Sequence, residues 1–341
     1  MFVRIKRALA LALAMLMLLS VMAGCANSGG NEDTKTKATE PPEEAAVLKV
    51  LTLGHSLTVD ACHMLNLVAA AEGYKDMLIG TLYYSGCPLN KHVEYLTKDT
   101  PAYSLYISST TTPGVIPVIT DDVTMGYALQ YEYWDIIVMQ GGVFEVAESD
   151  TYTCGHIQTI QEYVNKMKLN PLAIFAWHMP WVFPTNNDLR DTFPKETNGY
   201  YTNYAKYDHN RTNLYNAMTK CVSDHIMTDD TFQFMIPSGT AIENALSSYM
   251  EETDLHRDYA HATDIGRLMA AYTYYCRLAG VEQLEQIKLD VVPKIFFKSS
   301  TSPVDWELTD HEKELILESV NNALANPLQM TQSKFTEAPA Q

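Results

Sequence analysis

A lone serine, Ser56, follows the apolar, β-branched run Ala46 to Leu53 and precedes residues with helical spacing. A pair three residues apart, Asp258 and His261, comes about 200 positions later. A serine hydroxyl attacks an acyl carbon only when a base removes its proton and an orienting group holds that base. Asp258 and His261 are of the right types for the last two tasks, because a carboxylate beside an imidazole fixes its tautomer. Each feature alone also occurs in ordinary turns, so their meaning depends on what brings them together.

The elements around them are consistent with one sheet edge. Ala46 to Leu53 has the continuous apolar character of a strand covered on both faces. From Thr58 onward, Val59, Cys62, Leu65, Leu67 and Val68 recur at helical spacing, so the turn at Gly54, His55 and Ser56 belongs to the carboxyl end of a strand, where α/β proteins bind ligands. Further parallel strands are expected at Asp76 to Leu82, Asp135 to Gln140, Leu172 to Trp177 and Phe232 to Ile236. Helices are expected near 87–98, 150–168, 208–226, 262–279 and 309–325. Ala102 to Thr120, rich in Tyr, Ser, Thr and Ile with Pro113 and Gly114 at its middle, reads as a small hairpin walling one side of the site. With 47% hydrophobic and 10% aromatic residues, the stretch can fill a three-layer α/β/α core.

In order and spacing these blocks resemble the SGNH (GDSL-like) hydrolases. Ser56 in Gly-His-Ser-Leu, Gly86 after Tyr84 and Ser85, the strand from Trp134 to Gly142, Pro237 to Ile242, and Arg257 to Arg267 are similar to the blocks of a group of bacterial extracytoplasmic SGNH-like proteins. The resemblance covers roughly residues 46 to 280. It implies a flavodoxin-like SGNH fold with a five-stranded, mainly parallel sheet. It also implies Ser56 as nucleophile, His261 as general base, Asp258 as its orienter, and the amides of Ser56 and Gly86 as oxyanion donors. His55 stands where the superfamily usually has Asp or Asn. The asparagine that commonly supplies a third oxyanion donor has no match, and Gln140 is the amide nearest that edge. His55 is also expected to meet substrate.

The aromatic stretch after the fourth strand, from Trp177 through Asn187 and again from Asn198 to Tyr204, suits a sugar-binding surface. Most of it is read as folding over its own core, with Trp177, His178 and Trp181 expected beside the cleft. No cofactor is expected. No metal-binding pattern of His, Cys or carboxylate spacing occurs.

Residues 1–24 have a basic start (Arg4, Lys6, Arg7) and an apolar core of about a dozen residues, short of the roughly 20 that span a bilayer. Ala23 and Gly24 before Cys25 resemble a bacterial lipobox, in which the cysteine is lipidated. Residues 25–45 are polar and read as a tether, 46–327 as the SGNH-like domain and 328–341 as a disordered tail. Removing the three basic residues with the leader takes the formal charge from −17 to −20, which disfavours nucleic acid as a partner. Once Cys25 is set aside, five cysteines remain; an odd number cannot all pair, and buried free thiols are expected. These features suit an extracytoplasmic esterase, anchored by lipid to a bacterial membrane, that removes small acyl groups from carbohydrate or related esters. The alternatives are an acyltransferase and a glycan-binding lipoprotein without turnover.

Overall fold

Leu48–Gly54 (β1) is the centre of the sheet. It pairs in parallel with Met77–Tyr83 (β2) on one side and with Ile136–Met139 (β5) on the other. Both faces are covered, and its last five residues are buried, which is why the run is apolar without alternation. The computed structural model describes residues 47–74, 76–114, 117–185, 199–293 and 305–338. The leader 1–24, Cys25 and the tether 25–45 lie outside the described residues.

Parallel pairing continues through Ile174–His178 (β6) to Phe232–Ile236 (β7). These five strands run in the order β2-β1-β5-β6-β7, in the places expected from the apolar runs. The main sheet has seven strands rather than five. The segment expected as a side wall forms Tyr103–Ser109 (β3) and Val118–Val123 (β4), which extend the edge beyond β2 in antiparallel register. A half-exposed antiparallel edge needs only alternating apolar residues, a weaker signal than a buried parallel strand. Val291–Val292 (β8) and Trp306–Glu307 (β9) make a separate two-stranded ladder.

One helical layer joins Ser56–Cys62 (α1) and Leu65–Ala71 (α2) to Ser238–Leu246 (α10), Asp264–Ala279 (α12) and Asp310–Ala325 (α13). The other holds Leu89–Lys98 (α3), Met125–Tyr131 (α4), Val143–Val146 (α5), Ser149–Thr153 (α6), His156–Met167 (α7) and Arg211–Cys221 (α9). Two short helices, Gly199–Tyr204 (α8) and Glu252–Leu255 (α11), lie in the connections. Helices leave β1 for one layer and β5 for the other, so the sheet order reverses between these strands. Ligands of open α/β sheets bind at such a switch point.

The carboxyl-terminal stretch differs from the expected tail. Thr331 donates its amide to Asn244 Oδ1 (2.7 Å), Ser333 donates to Ser247 Oγ (2.9 Å), and Tyr249 donates to the Phe335 carbonyl (2.9 Å). These bonds hold residues 331–335 against the end of α10 although few of the residues are apolar. Cys62, Cys87, Cys221 and Cys276 are buried free thiols, whereas Cys154 is exposed.

Candidate active site

Ser56 is the first residue of α1, directly after β1. His55 caps that helix. Its carbonyl accepts from the amides of Thr58 (2.9 Å) and Val59 (3.2 Å), and its Nδ1 accepts from the Leu57 amide at 3.4 Å. The role usually filled by an acid or amide side chain is here performed by an imidazole. Beside this turn, Tyr84 donates its amide to the Gly54 carbonyl at 3.4 Å, which fastens the loop bearing Gly86 to the end of β1. Gly86 has φ +59°, a left-handed conformation that favours glycine. Among the described residues, neither the Ser56 nor the Gly86 backbone N–H donates to a protein acceptor.

Asp258 and His261 lie at the tip of a tight hairpin closed by a bridge between His256 and Ala262 and by Arg257 donating its amide to the His261 carbonyl (2.9 Å). Asp258 Oδ1 accepts from the amides of Ala260 and His261, each at 2.8 Å. His261 Nδ1 lies 3.0 Å from Oδ1 and 2.9 Å from Oδ2 of the same carboxylate. Burial would raise the Asp258 pKa, but the bonds from the His261 ring and from the two amides outweigh it and hold the pKa at about 2. A neutral His261 that donates Nδ1–H to Asp258 presents the lone pair of Nε2. The Ser56 hydroxyl and His261 make no direct hydrogen bond. Burial holds the pKa of His55 down at about 4.

Buried contacts fix this hairpin from behind. Trp181 donates its indole N–H to the Ala260 carbonyl (2.9 Å), and His256 Nε2 lies 3.1 Å from the Val182 carbonyl. Behind Trp181 the chain runs hard against α10: Gly239 donates to Met179 (3.0 Å), and a Cβ at Gly239 would stand 2.2 Å from the Pro180 carbonyl oxygen. On the other side Asp60 of α1 accepts from Arg257, Arg267 and the Ala262 amide. Sequence reasoning gives these three side chains no role, since a single acid in a helix carries no mark of partners 197 and 207 residues away. A cleft of about 680 Å³ opens against the base of the hairpin, lined by Tyr249, Asp254, Arg257, Asp264, Trp306 and Glu312. Ser56, Asp258 and His261 are not among its lining residues, so its size does not mark the site.

The residues expected to touch substrate lie deeper. Trp177, His178 and Trp181 are fully buried, and His55 is 6% exposed. Trp177 packs between Tyr152 and Phe232, and His178 meets the edge of Tyr274. The aromatic character of this stretch reflects core filling and support of the hairpin, not an open sugar platform. Gln140 is 1% exposed, and its Oε1 accepts from Thr58 Oγ1 and His178 Nδ1 (3.1 Å). Its amide nitrogen stands 3.3 Å from His55 Nε2, which also contacts the Gly141 carbonyl at 3.4 Å. The oxygen end of Gln140 is therefore held beneath the Ser56 turn. Gln140→Ala is expected to lower stability by about 2–4 kcal/mol, since it opens a cavity and strips partners from Thr58 and His178. Unfolding and turnover measured together check this: an oxyanion donor would instead lower kcat at parental stability.

The family model described as "Domain of unknown function (DUF4886)" matches residues 49–293. A crystal structure of a DUF4886 family protein from Bacteroides uniformis is similar, with a TM-score of 0.68 at 24% identity over 86% of this chain and 100% of that one. A candidate SGNH hydrolase from Slackia heliotrinireducens has a TM-score of 0.40 at 16% identity, covering 67% of this chain and 98% of its own. The acetyl xylan esterase AlAXEase has a TM-score of 0.38 at 13% identity, covering 67% and 99%. No curated protein matches the chain.

Proposed function

The chain belongs to the DUF4886 family, and from that footing we propose that it is a lipid-anchored, extracytoplasmic serine esterase removing small acyl groups from carbohydrate or related esters. The observation that carries the reading is the Asp258–His261 pair, held at 2.9 Å on a hairpin bonded through Arg257 and Ala262 to Asp60 of the helix that Ser56 begins. In the first half-reaction His261 Nε2 takes the Ser56 proton as Oγ attacks the ester carbonyl. The tetrahedral oxyanion is met by the amides of Ser56 and Gly86, and the alcohol leaves with the proton returned by His261. In the second half-reaction His261 deprotonates water, which attacks the acyl-enzyme and releases the carboxylic acid with Ser56 restored. Asp258 stays ionised throughout and holds the imidazole in the productive tautomer.

The test is turnover by purified protein on short-chain nitrophenyl esters and on acetylated glycans. Release of nitrophenol or acetate by the parent, absent in the Ser56→Ala variant, is the expected result. Glycan binding without release would favour the scaffold-only alternative, and transfer of the acyl group to an added sugar would favour a transferase.

Anchoring is tested separately. Lipidation of Cys25 with a diacylglycerol adds buried methylenes at about 0.8 kcal/mol each, enough for a firm hold where one chain is marginal. Cys25→Ser is expected to release the protein from the membrane fraction, as followed by fractionation and mass spectrometry. Parent protein recovered as a soluble species with a free Cys25 thiol would refute the anchor.

A further inference from the structure

Six of the eleven large apolar side chains exposed among the described residues gather at the amino-terminal end of the parallel strands: Val47, Tyr127, Tyr131, Tyr133, Leu169 and Leu172. Val47 directly precedes β1, Tyr131 and Tyr133 precede β5, and Leu169 and Leu172 precede β6. Asp135 joins these three segments. Its carboxylate accepts from the Lys49 amide (2.9 Å) and from Asn170 Nδ2 (3.2 Å), its amide donates to the Lys49 carbonyl (2.7 Å), and its carbonyl accepts from the Ile174 amide (3.0 Å). Asn170 Oδ1 in turn accepts from the Leu172 amide at 3.0 Å, and the Tyr127 and Tyr131 rings lie 6.1 Å apart. Of the six, Leu172 (83% exposed) and Tyr133 (59%) are the most open. The cations beside them are engaged: Lys49 Nζ pairs with Glu132 (3.0 Å), and Lys168 Nζ donates to the Ala173 carbonyl (3.0 Å).

An exposed apolar cluster marks a contact with another protein or with a membrane. Tyrosine suits the boundary between lipid headgroups and acyl chains, since its ring is apolar along its body and polar at its tip. Position favours the membrane, because the chain that leads from Cys25 enters the fold at Val47, inside the cluster. We propose that this cluster is a docking surface for the bilayer, on which the lipid-anchored protein rests with Leu172 and Tyr133 among the headgroups. The inference rests on the anchoring reading above. β1 rises about 3.3 Å per residue, so the Ser56 turn stands roughly 20 Å above the docked end and opens away from the membrane. The site then meets esters outside the membrane rather than those of the bilayer lipids.

The test uses the full lipidated chain in phosphatidylcholine vesicles whose acyl chains carry bromine, which quenches a tryptophan that reaches them. Two variants each add one tryptophan at an exposed position: Leu172→Trp in the cluster, and Asn90→Trp in the first turn of α3, beyond the carboxyl end of β2. The emission of the parent is subtracted. The added emission at position 172 is expected to fall by about half or more and that at position 90 by less than about a tenth, since a docked ring sits at the headgroup boundary. Val47→Glu with Tyr133→Glu places two charges in the cluster at exposed positions, so the fold is kept, and is expected to restore most of the emission at 172. Equal quenching at both positions, no quenching at 172, or quenching at 172 that survives the two glutamates overturns the proposal. A parent dimer in sedimentation that the two glutamates dissociate, together with no quenching, would assign the cluster to a second copy of the chain instead. Failure of the anchor is read separately: if Cys25 carries no lipid, its thiol is coupled to maleimide-bearing phosphatidylethanolamine in the same vesicles, with Cys154→Ser removing the exposed thiol, and the same comparison still decides whether the cluster docks.

Discussion

Replacing Ser56 with alanine is expected to lower kcat by about 10⁴- to 10⁶-fold, the scale on which serine hydrolases lose their nucleophile, while the unfolding temperature stays close to that of the parent. The two readouts separate because Ser56 is only half buried and its hydroxyl bonds to no described residue, while the helix it begins is capped by His55. Little packing is lost with the oxygen atom. An activated-serine probe labels the parent at Ser56 and leaves the variant unlabelled. Parental turnover by the variant would remove Ser56 from the chemistry.

Acid should unfold this protein over an unusually early range. His55, His92 and His178 are all buried, and burial depresses their pKa values to about 4, 3 and 3. For His92 and His178 the charge of His55 adds a further depression. Their bonding fits the neutral form. His55 Nδ1 accepts from an amide, and Nε2 of His92 and of His178 has no partner among the described residues, so an added proton would be a buried donor without an acceptor. The unfolded chain takes up these protons near pH 6.5 while the folded chain does not. Stability is therefore fully present above about pH 6.5 and is lost as the pH falls towards the folded values. Glu243, raised to about 7 by burial, acts in the opposite sense between about pH 4.5 and 7 and cancels one histidine's share. The histidines outweigh it, since burial also depresses His63 to about 3 and lowers His256, so stability falls as the pH drops below about 6.5. Denaturant titrations at pH 7.5, 6.5 and 5.5 check this, with His92→Phe reducing the slope. Equal stability at the three values would show that these rings are protonated in the folded state.

Legibility of the fold followed burial. The five parallel strands are plain in the sequence because both faces are covered and almost every residue is apolar. The amphipathic helices α3, α7 and α13 announce themselves by spacing, and Thr309 and Glu312 form the capping box that opens α13. Helix α10 is hidden for the opposite reason: Ser238 through Ala245 are all buried, so no polar face gives a period, and Pro237 and Gly239 read as a turn. Within the site, the Asp258–His261 contact is legible because three residues of spacing suffice for it. The burial of Trp177 and Trp181 is not legible, since aromatic residues at a strand end suit either a cleft or a core. The Asp60 cluster is the least legible, because its partners meet it only through tertiary structure.

The same long separation bears on when the site comes into being. A chain synthesised from its amino terminus exposes β1 and α1 early, yet the acceptor at Asp60 finds its donors only after residue 267 has emerged. Contacts between such distant positions must overcome loop-closure entropy before they contribute, and they form late. The parallel core of β2, β1 and β5 can pair beforehand, but Ser56 then stands on a helix with no hairpin opposite it. Every fragment that stops short of residue 256 lacks both the base and its brace. Assembly of the candidate site thus waits for the chain through Arg267.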